Sequence, residues 1–355
     1  MPRRFVLFLL LVLSLSLATL HIQAQSVPLD VPRDSQHAIV IQRVGLTDIK
    51  VNYHRPLVKD RKIWGKVVPY DSVWRAGANE NTTISFADPV SIEGKPLEAG
   101  TYGLHMIPGE SEWTVIFSKN STSWGSFTYK QEEDALRVTV KPQPTEMHNA
   151  LAYDFDDVKA DSTILTMRWE KVAVPVKIGV NTNEIVQASL RKQLRGLAQY
   201  TWDGWDDAAN YLLANKLSME DALTYCDRSI QVEERFDNLH TKSKVLEALG
   251  RKDEASKVLA TALVKANALQ MHSYARQLQI DGQSDKAFAI YRENAKKNPD
   301  AWIVHMGLGR MYSAQGDYTN AAKEMRVALT SAPEPNKSFL ENFVKRLDAK
   351  DDINK

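Results

Sequence analysis

A single cysteine, Cys226, stands in the 355 residues of this chain. That excludes an intramolecular disulfide framework and leaves stability to packing; its distance from the N-terminus also excludes a lipid on a mature N-terminal cysteine. Charge of one sign is lacking as well. With 45 Lys and Arg against 44 Asp and Glu, neither nucleic acid nor an anionic lipid surface is an expected partner. The HExxH and GxSxG motifs are absent and the lone cysteine falls in the helical half, which removes the usual zinc-protease, α/β-hydrolase and cysteine-nucleophile readings.

Long apolar runs are missing everywhere except at the start. Arg3 and Arg4 precede an apolar stretch over 5–20, followed by the small-residue segment Gln23-Ala24-Gln25-Ser26. This order is that of a secretory signal peptide over 1–24, cleaved near Ala24. The run is short of the about 20 residues of a span, and the surroundings of the Arg pair do not suit a twin-arginine signal. Sec export is therefore expected, to the periplasm or the exterior, with no stable membrane insertion after cleavage. Residues 25–35 read as a linker, and the roughly 330 mature residues suggest about two domains.

Two periodicities divide the remainder. From 38 to 178 the chain runs in short segments rich in Val, Ile, Thr and aromatics: 38–44, 49–54, 83–86, 90–92, 103–107, 113–118, 137–140, 151–155, 163–169 and 173–178. Asp88-Pro89, Glu93-Gly94-Lys95-Pro96, Ala99-Gly100 and Pro108-Gly109-Glu110 punctuate them, which predicts an all-β antiparallel sandwich over 36–180. From about 183 apolar residues recur at three and four, a helical period. The fold class is α+β with segregated domains.

The helical half repeats itself. NKLSMEDA, LGRKDEA, DGQSDKA and QGDYTNA end at Ala222, Ala255, Ala287 and Ala321, at intervals of 33, 32 and 34 residues. This spacing resembles the tetratricopeptide repeat, whose helix pairs stack in series. The last copy matches best, with Leu308, Gly309 and Tyr312 on a first helix, Gly316 in the turn, and Ala321 and Ala328 on a second. The first copy departs, because Leu217 stands where the last has Gly316. Repeats over 183–335 are expected, then a capping helix and tail over 336–355, with Phe339, Leu340, Phe343 and Leu347 on one face. Such arrays imply a protein or peptide partner on the inner helices; the alternatives are a brace for the β domain or a homodimer contact. His240, His272 and His305 recur on the first helices, but stacked repeats hold such positions about 10 Å apart, too far for one ion. They read as groove residues, with no metal or other cofactor expected.

The β half carries a second resemblance. NYHRPLVKDRKIWGKVVPYDSVWRAGANENTTISF, IEGKPLEAGTYGLHMIPGESEWTVIFS, Trp124-Gly125 and MRWEKVAVPVKI together resemble the bacterial family called domain of unknown function 2911, over most of 36–178. The resemblance implies an exported β domain and brings no established reaction.

Within that half VWRAGANENTTISF, residues 73–86, is the most particular stretch. Ala76, Gly77 and Ala78 keep the backbone slim, Asn79 and Asn81 are loop formers, and Thr83 onward alternates as a strand. Arg75 and Glu80 are expected to pair across the loop. A functional reading adds Tyr53, His54 and Arg55 at a strand end, Trp74 at the loop entrance, Asn79, and His105 on another strand. If His54, Glu80 and His105 converge they could bind a metal or run acid/base chemistry. Aromatics offer a sugar or peptide groove, with Trp124 in STSWGSF the best exposed candidate and Trp113 and Trp169 read as core. The leading expectation is a non-catalytic interaction protein, with no catalytic residue assigned; the alternative is an exported, hydrolase-like enzyme with its site in the β domain.

Overall fold

The computed structural model describes residues 31–355, so the expected signal peptide and its cleavage site lie outside the described residues. The chain separates into two compact units between Val180 and Asn181.

The first unit is a pair of antiparallel sheets. The larger joins β1 (Gln36–Val44), β2 (Thr47–Arg55), β3 (Thr83–Phe86), β6 (Gly100–Ile107), β7 (Trp113–Ser118) and β8 (Asp134–Val140), in the order β1-β2-β3-β6-β7-β8. The smaller orders β5 (Lys95–Leu97), β4 (Val90–Ile92), β10 (Ser162–Val180) and β9 (Gln143–Asp156) as β5-β4-β10-β9. Period-two patterning decides which way each strand faces: in β2, Ile49, Val51 and Tyr53 are buried while Asp48 and Lys50 are exposed. Leu104, Met106, Val115 and Phe117 of the larger sheet meet Met167, Val174, Val176 and Ile178 of the smaller one across a common interior. Trp64 anchors one part of it, with its ring 4.8 Å from Trp113, 5.7 Å from Trp169 and 5.9 Å from Trp74.

Two expected strands, over 163–169 and 173–178, are one strand. Instead of a turn between them, the register against β9 slips on either side of Glu170, which adopts φ 56°. A bulge absorbs the irregular residues without ending the pairing. The expected turn at Glu93-Gly94-Lys95-Pro96 is a tight hairpin, with Glu93 and Gly94 at φ 49° and 79° and β5 starting at Lys95.

The second unit contains ten helices among the described residues. After α1 (Thr182–Gln193) come the pairs α2 (Trp202–Ala214) with α3 (Met219–Val232), α4 (Phe236–Ala248) with α5 (Lys252–Lys265), α6 (Ala268–Ile280) with α7 (Ser284–Lys297), and α8 (Trp302–Ala314) with α9 (Tyr318–Ser331); α10 (Glu334–Asp348) follows. Close crossing explains the small residues of the last pair: a Cβ on Gly309 would lie 2.8 Å from the Met325 side chain and 3.2 Å from Ala321 O. Leu340 and Leu347 of α10 join the same core as Ala321 and Ala328.

Gly250, Gly282 and Gly316 take φ 77–78° in the turns within the last three pairs, the left-handed residue that closes a helix. In the first pair Lys216 does this, at φ 52°. Leu217 is an added residue rather than a replaced glycine; it packs with Ala209 and Cys226, and Ser218 caps α3 through Asp221 N–H. The first pair is therefore a regular hairpin with a longer turn. No described helix is long and apolar enough to cross a membrane.

Candidate functional site

The stretch singled out in the sequence is an excursion from strand pairing. Trp74 exchanges two backbone hydrogen bonds of 2.8 Å with Met106, and Leu104 N–H donates to Thr82 O. Residues 75–81 are thus looped out of the line opposite β6, at the level of His105. Short bonds hold the loop rigidly: the Tyr153 hydroxyl (2.8 Å) and Thr82 Oγ1 (3.3 Å) both donate to Ala76 O, and Trp74 Nε1 donates to Gly77 O. Gly77 is required by space, since a Cβ there would sit 2.4 Å from Thr82 Oγ1. Ala76, fully buried, and Asn79 adopt φ 49° and 57°; for Ala76 this is a strained conformation that the surrounding bonds impose.

Strand register aligns the polar residues outside the sheet. His37 faces His54, Asn52 faces Thr83, and Thr83 faces Gly103. His54, two residues beyond Asn52, and His105, two residues beyond Gly103, fall on the outer face, and the Asn81 side chain reaches from the loop towards His105. His54 and His105 therefore lie on the same side of the sheet, on strands with β3 between them. A Cβ on Gly103 would reach within 2.7 Å of Asn81 Nδ2 and 3.2 Å of His105 Nε2, so a side chain there would fill the space between them.

The expected Arg75–Glu80 pair does not form. Glu80 bonds to Arg33 at 2.5 Å and lies 3.3 Å from His54 Nε2; the loop's left-handed turns send the two side chains to different neighbours. Burial opposes the Glu80 charge, but the Arg33 bond and the His54 ring hold its carboxyl below the usual range. Burial lowers His54 against the pull of Glu80, with His37, Arg33 and Arg75 adding to the lowering. His105, 2% exposed, contacts Ser126 Oγ at 2.9 Å and is pushed down to about 4 by burial, so it is neutral at pH 7. Arg75 makes neither a hydrogen bond nor an ion pair with any described residue, and its Nε is fully enclosed.

The other candidates divide among roles. Tyr53 belongs to the interior, with its hydroxyl accepting from Tyr153 N–H. Arg55 ties β2 to Leu151 O, and Asn79 ties the loop to Ser35 O. Trp74 stacks on Trp169 at 5.7 Å, so it cannot serve an exposed sugar platform. Trp124 is 58% exposed. Sequence reading overlooked Arg33, His37 and Ser126 as neighbours of the site, and took Asn81 only as a loop former; strand register is the signal that relates them. Among the described residues no group of three His, Cys, Asp or Glu side chains is placed to hold a metal ion.

The second unit has its own polar surface. Arg276 and Gln279 of α6 and Arg310 and Ser313 of α8 stand at equivalent positions of successive first helices. Residues 352–354 lie against them. Ser313 Oγ donates to Asp352 Oδ1 at 2.8 Å and accepts from Ile353 N–H at 3.1 Å. Arg276 Nη1 donates to Asn354 Oδ1 at 3.1 Å, while Asn354 Nδ2 donates to Arg310 O at 2.9 Å. Ile353 is 3% exposed and joins the core of the last pair and α10.

The three recurring histidines do not share one role. His240 is sandwiched between Phe236 and Tyr274. His272 is buried beside Tyr291 and pushed down to about 3, chiefly by burial and then by Arg310 and Arg276. His305 leaves the groove altogether: it bonds to Glu324 of α9 at 2.7 Å, because it stands one residue away from the helix position that His240 and His272 share.

The chain thus combines an antiparallel two-sheet β unit with tetratricopeptide-like helix pairs. Residues 35–178 match the family described as Protein of unknown function (DUF2911), the family whose motifs the β half carries. Among solved structures the chain is similar to the crystal structure of YrrB, a TPR protein with an unusual peptide-binding site, at 17% identity and a TM-score of 0.29, covering 46% of this chain and 84% of that one. No curated protein matches.

Proposed function

We propose that this is an exported, non-catalytic interaction protein whose helix pairs bind a short peptide and whose β unit binds a separate small ligand. The supporting observation is the seating of residues 352–354 on the first helices. A short turn, closed by Lys355 N–H to Asp352 O, is gripped there through its backbone and through Asp and Asn side chains, by residues that recur at equivalent positions of two repeats. A partner peptide with an acidic, an apolar and an amide residue in succession would meet the same donors and the same apolar recess. Export rests on the charged, apolar and small-residue order of 1–26.

The test uses full-length Ile353→Asp protein, in which a buried carboxylate displaces the chain's own segment. A fluorescent peptide of sequence Asp-Asp-Ile-Asn-Lys is expected to bind it saturably and to bind at least tenfold more weakly when Arg310→Met is added. Non-saturable binding, or binding indifferent to Arg310, refutes the peptide reading.

A further inference from the structure

We infer that Arg75 is the centre of an anion site on the outer face of the β unit, built for a carboxylate carried on an apolar body. This deepens the ligand-binding part of the function proposed above and is independent of the peptide part.

The first observation is a charge without a counterion. Arg75 is half-buried, its Nε is enclosed with no acceptor, and burial lowers its pKa with no carboxylate opposing. The nearby carboxylate, Glu80, is already held by Arg33 and His54. His105 is neutral. A partly desolvated guanidinium with no counterion on its own chain is open to one from outside, and a planar fork fits a carboxylate through two parallel hydrogen bonds.

The second observation is rigidity. Ala76, the next residue, is held in a strained left-handed conformation by the hydroxyls of Tyr153 and Thr82. Trp74, the preceding residue, is pinned to Met106 by two backbone bonds and to Trp169 by stacking. The guanidinium is thus carried on a backbone with no freedom to fold it away, which is the arrangement a preorganised binding group needs.

The third observation sets the rest of the ligand. A Cβ on Gly125 would lie 2.9 Å from Arg75 Nη1 and 3.3 Å from the Phe127 ring, so the fork and this ring flank one glycine. Phe127 is 83% exposed, and so in large part is Trp124 beside it. Exposed rings next to an unpaired cation suit an anion with an apolar portion, and the neutral Ser126–His105 pair at the base adds polarity without adding charge.

The experiment titrates the full chain with benzoate, with benzamide as its uncharged analogue, and with inorganic phosphate, by calorimetry and thermal shift. Saturable benzoate binding is expected, at least tenfold tighter than benzamide, and at least tenfold weaker in Arg75→Met. Arg75→Lys, which keeps the charge and loses the fork, is expected to fold with an unchanged far-ultraviolet spectrum and to bind at least threefold more weakly. Arg310→Met should leave benzoate binding intact, which separates this site from the peptide groove. Absence of saturable benzoate binding, equal affinity for benzamide, tighter binding of phosphate, or benzoate binding unchanged in Arg75→Met would each overturn the assignment.

Discussion

The two units treat buried arginine differently. In the repeat unit Arg310 is withdrawn from water, which pushes it down to about 10, and its Nε too is enclosed without an acceptor, yet its Nη1 reaches Ile353 O and Asn354 Oδ1 and its guanidinium lies 4.9 Å from the Phe343 ring. In the β unit Arg75 is half-buried and makes no hydrogen bond or ion pair with any described residue. The chain supplies an occupant for one site and leaves the other open. Since an uncompensated buried charge is costly in any fold, the difference marks the open arginine as the one whose partner comes from outside.

The largest effect is expected where the open site is braced. Trp169→Ala removes the ring on which Trp74 stacks and which Trp64 meets edge-on. A cavity of this kind in a packed core costs about 3–5 kcal/mol. Calorimetry on the full chain should show a large drop in the β-unit transition, with the loop that carries Arg75 loosened. A drop under about 1 kcal/mol would show that the loop is braced by its hydrogen bonds alone.

Acid should act on both units through a histidine near each site. His105 and His272 are buried, and burial pushes them down to about 4 and about 3. A base whose folded pKa lies below its unfolded value of about 6.5 stabilises the protein fully above that pH. The contribution is lost progressively as pH falls from about 6.5 towards the folded value, because the unfolded chain takes up the proton first. The full loss is on the order of 3 kcal/mol for His105 and about 5 kcal/mol for His272. Melting temperature should therefore fall between pH 6.5 and 5, before most carboxylates titrate. His272→Gln should flatten that slope in the helical transition only, and His105→Gln in the β transition only.

The arginines themselves give a smaller and more direct contrast. Arg310→Met strands Ile353 O and removes one of the two donors to Asn354 Oδ1, and is expected to lower stability by about 1–3 kcal/mol. Arg75→Met strands nothing, and should leave stability unchanged or raise it by roughly 1 kcal/mol. Chemical denaturation of both variants checks the sign. If Arg75→Met destabilises as much as Arg310→Met, the two sites do not differ in the way described.

How much of this was legible in the sequence follows from the range of each interaction. The two periodicities and the spacing of Ala222, Ala255, Ala287 and Ala321 are local, and they predicted the sheet and helix halves correctly. The strand break between 169 and 173 was misread because a bulge and a turn use the same residues, and only the partner strand distinguishes them. Arg75 and Glu80 are five residues apart and of opposite sign, so pairing was the natural expectation. The actual partner of Glu80, Arg33, comes from a segment with no pattern of its own. That His54 and His105 share a face, with Asn81 near His105, depends on the register of three strands, which the amino-acid order does not display. Residues 352–354 read as a tail because three residues carry no periodicity; their seat is visible only once α6 and α8 are side by side.

The smallest effect repeats the comparison within one unit. Three of the four hairpin turns close with glycine at φ 77–78°, and the first closes with Lys216 at φ 52°. A side chain in the left-handed region pays roughly 1 kcal/mol against the carbonyl that follows it, which glycine avoids. Lys216 is exposed, so no packing is lost with its side chain, and the added freedom of glycine in the unfolded chain offsets part of the gain. Lys216→Gly should accordingly stabilise the first pair by about 0.5 kcal/mol, read as a higher denaturation midpoint with an unchanged slope. A lower midpoint would mean that the longer turn around Leu217 holds Lys216 for a contact of its own, and that the first pair differs from the others by more than one inserted residue.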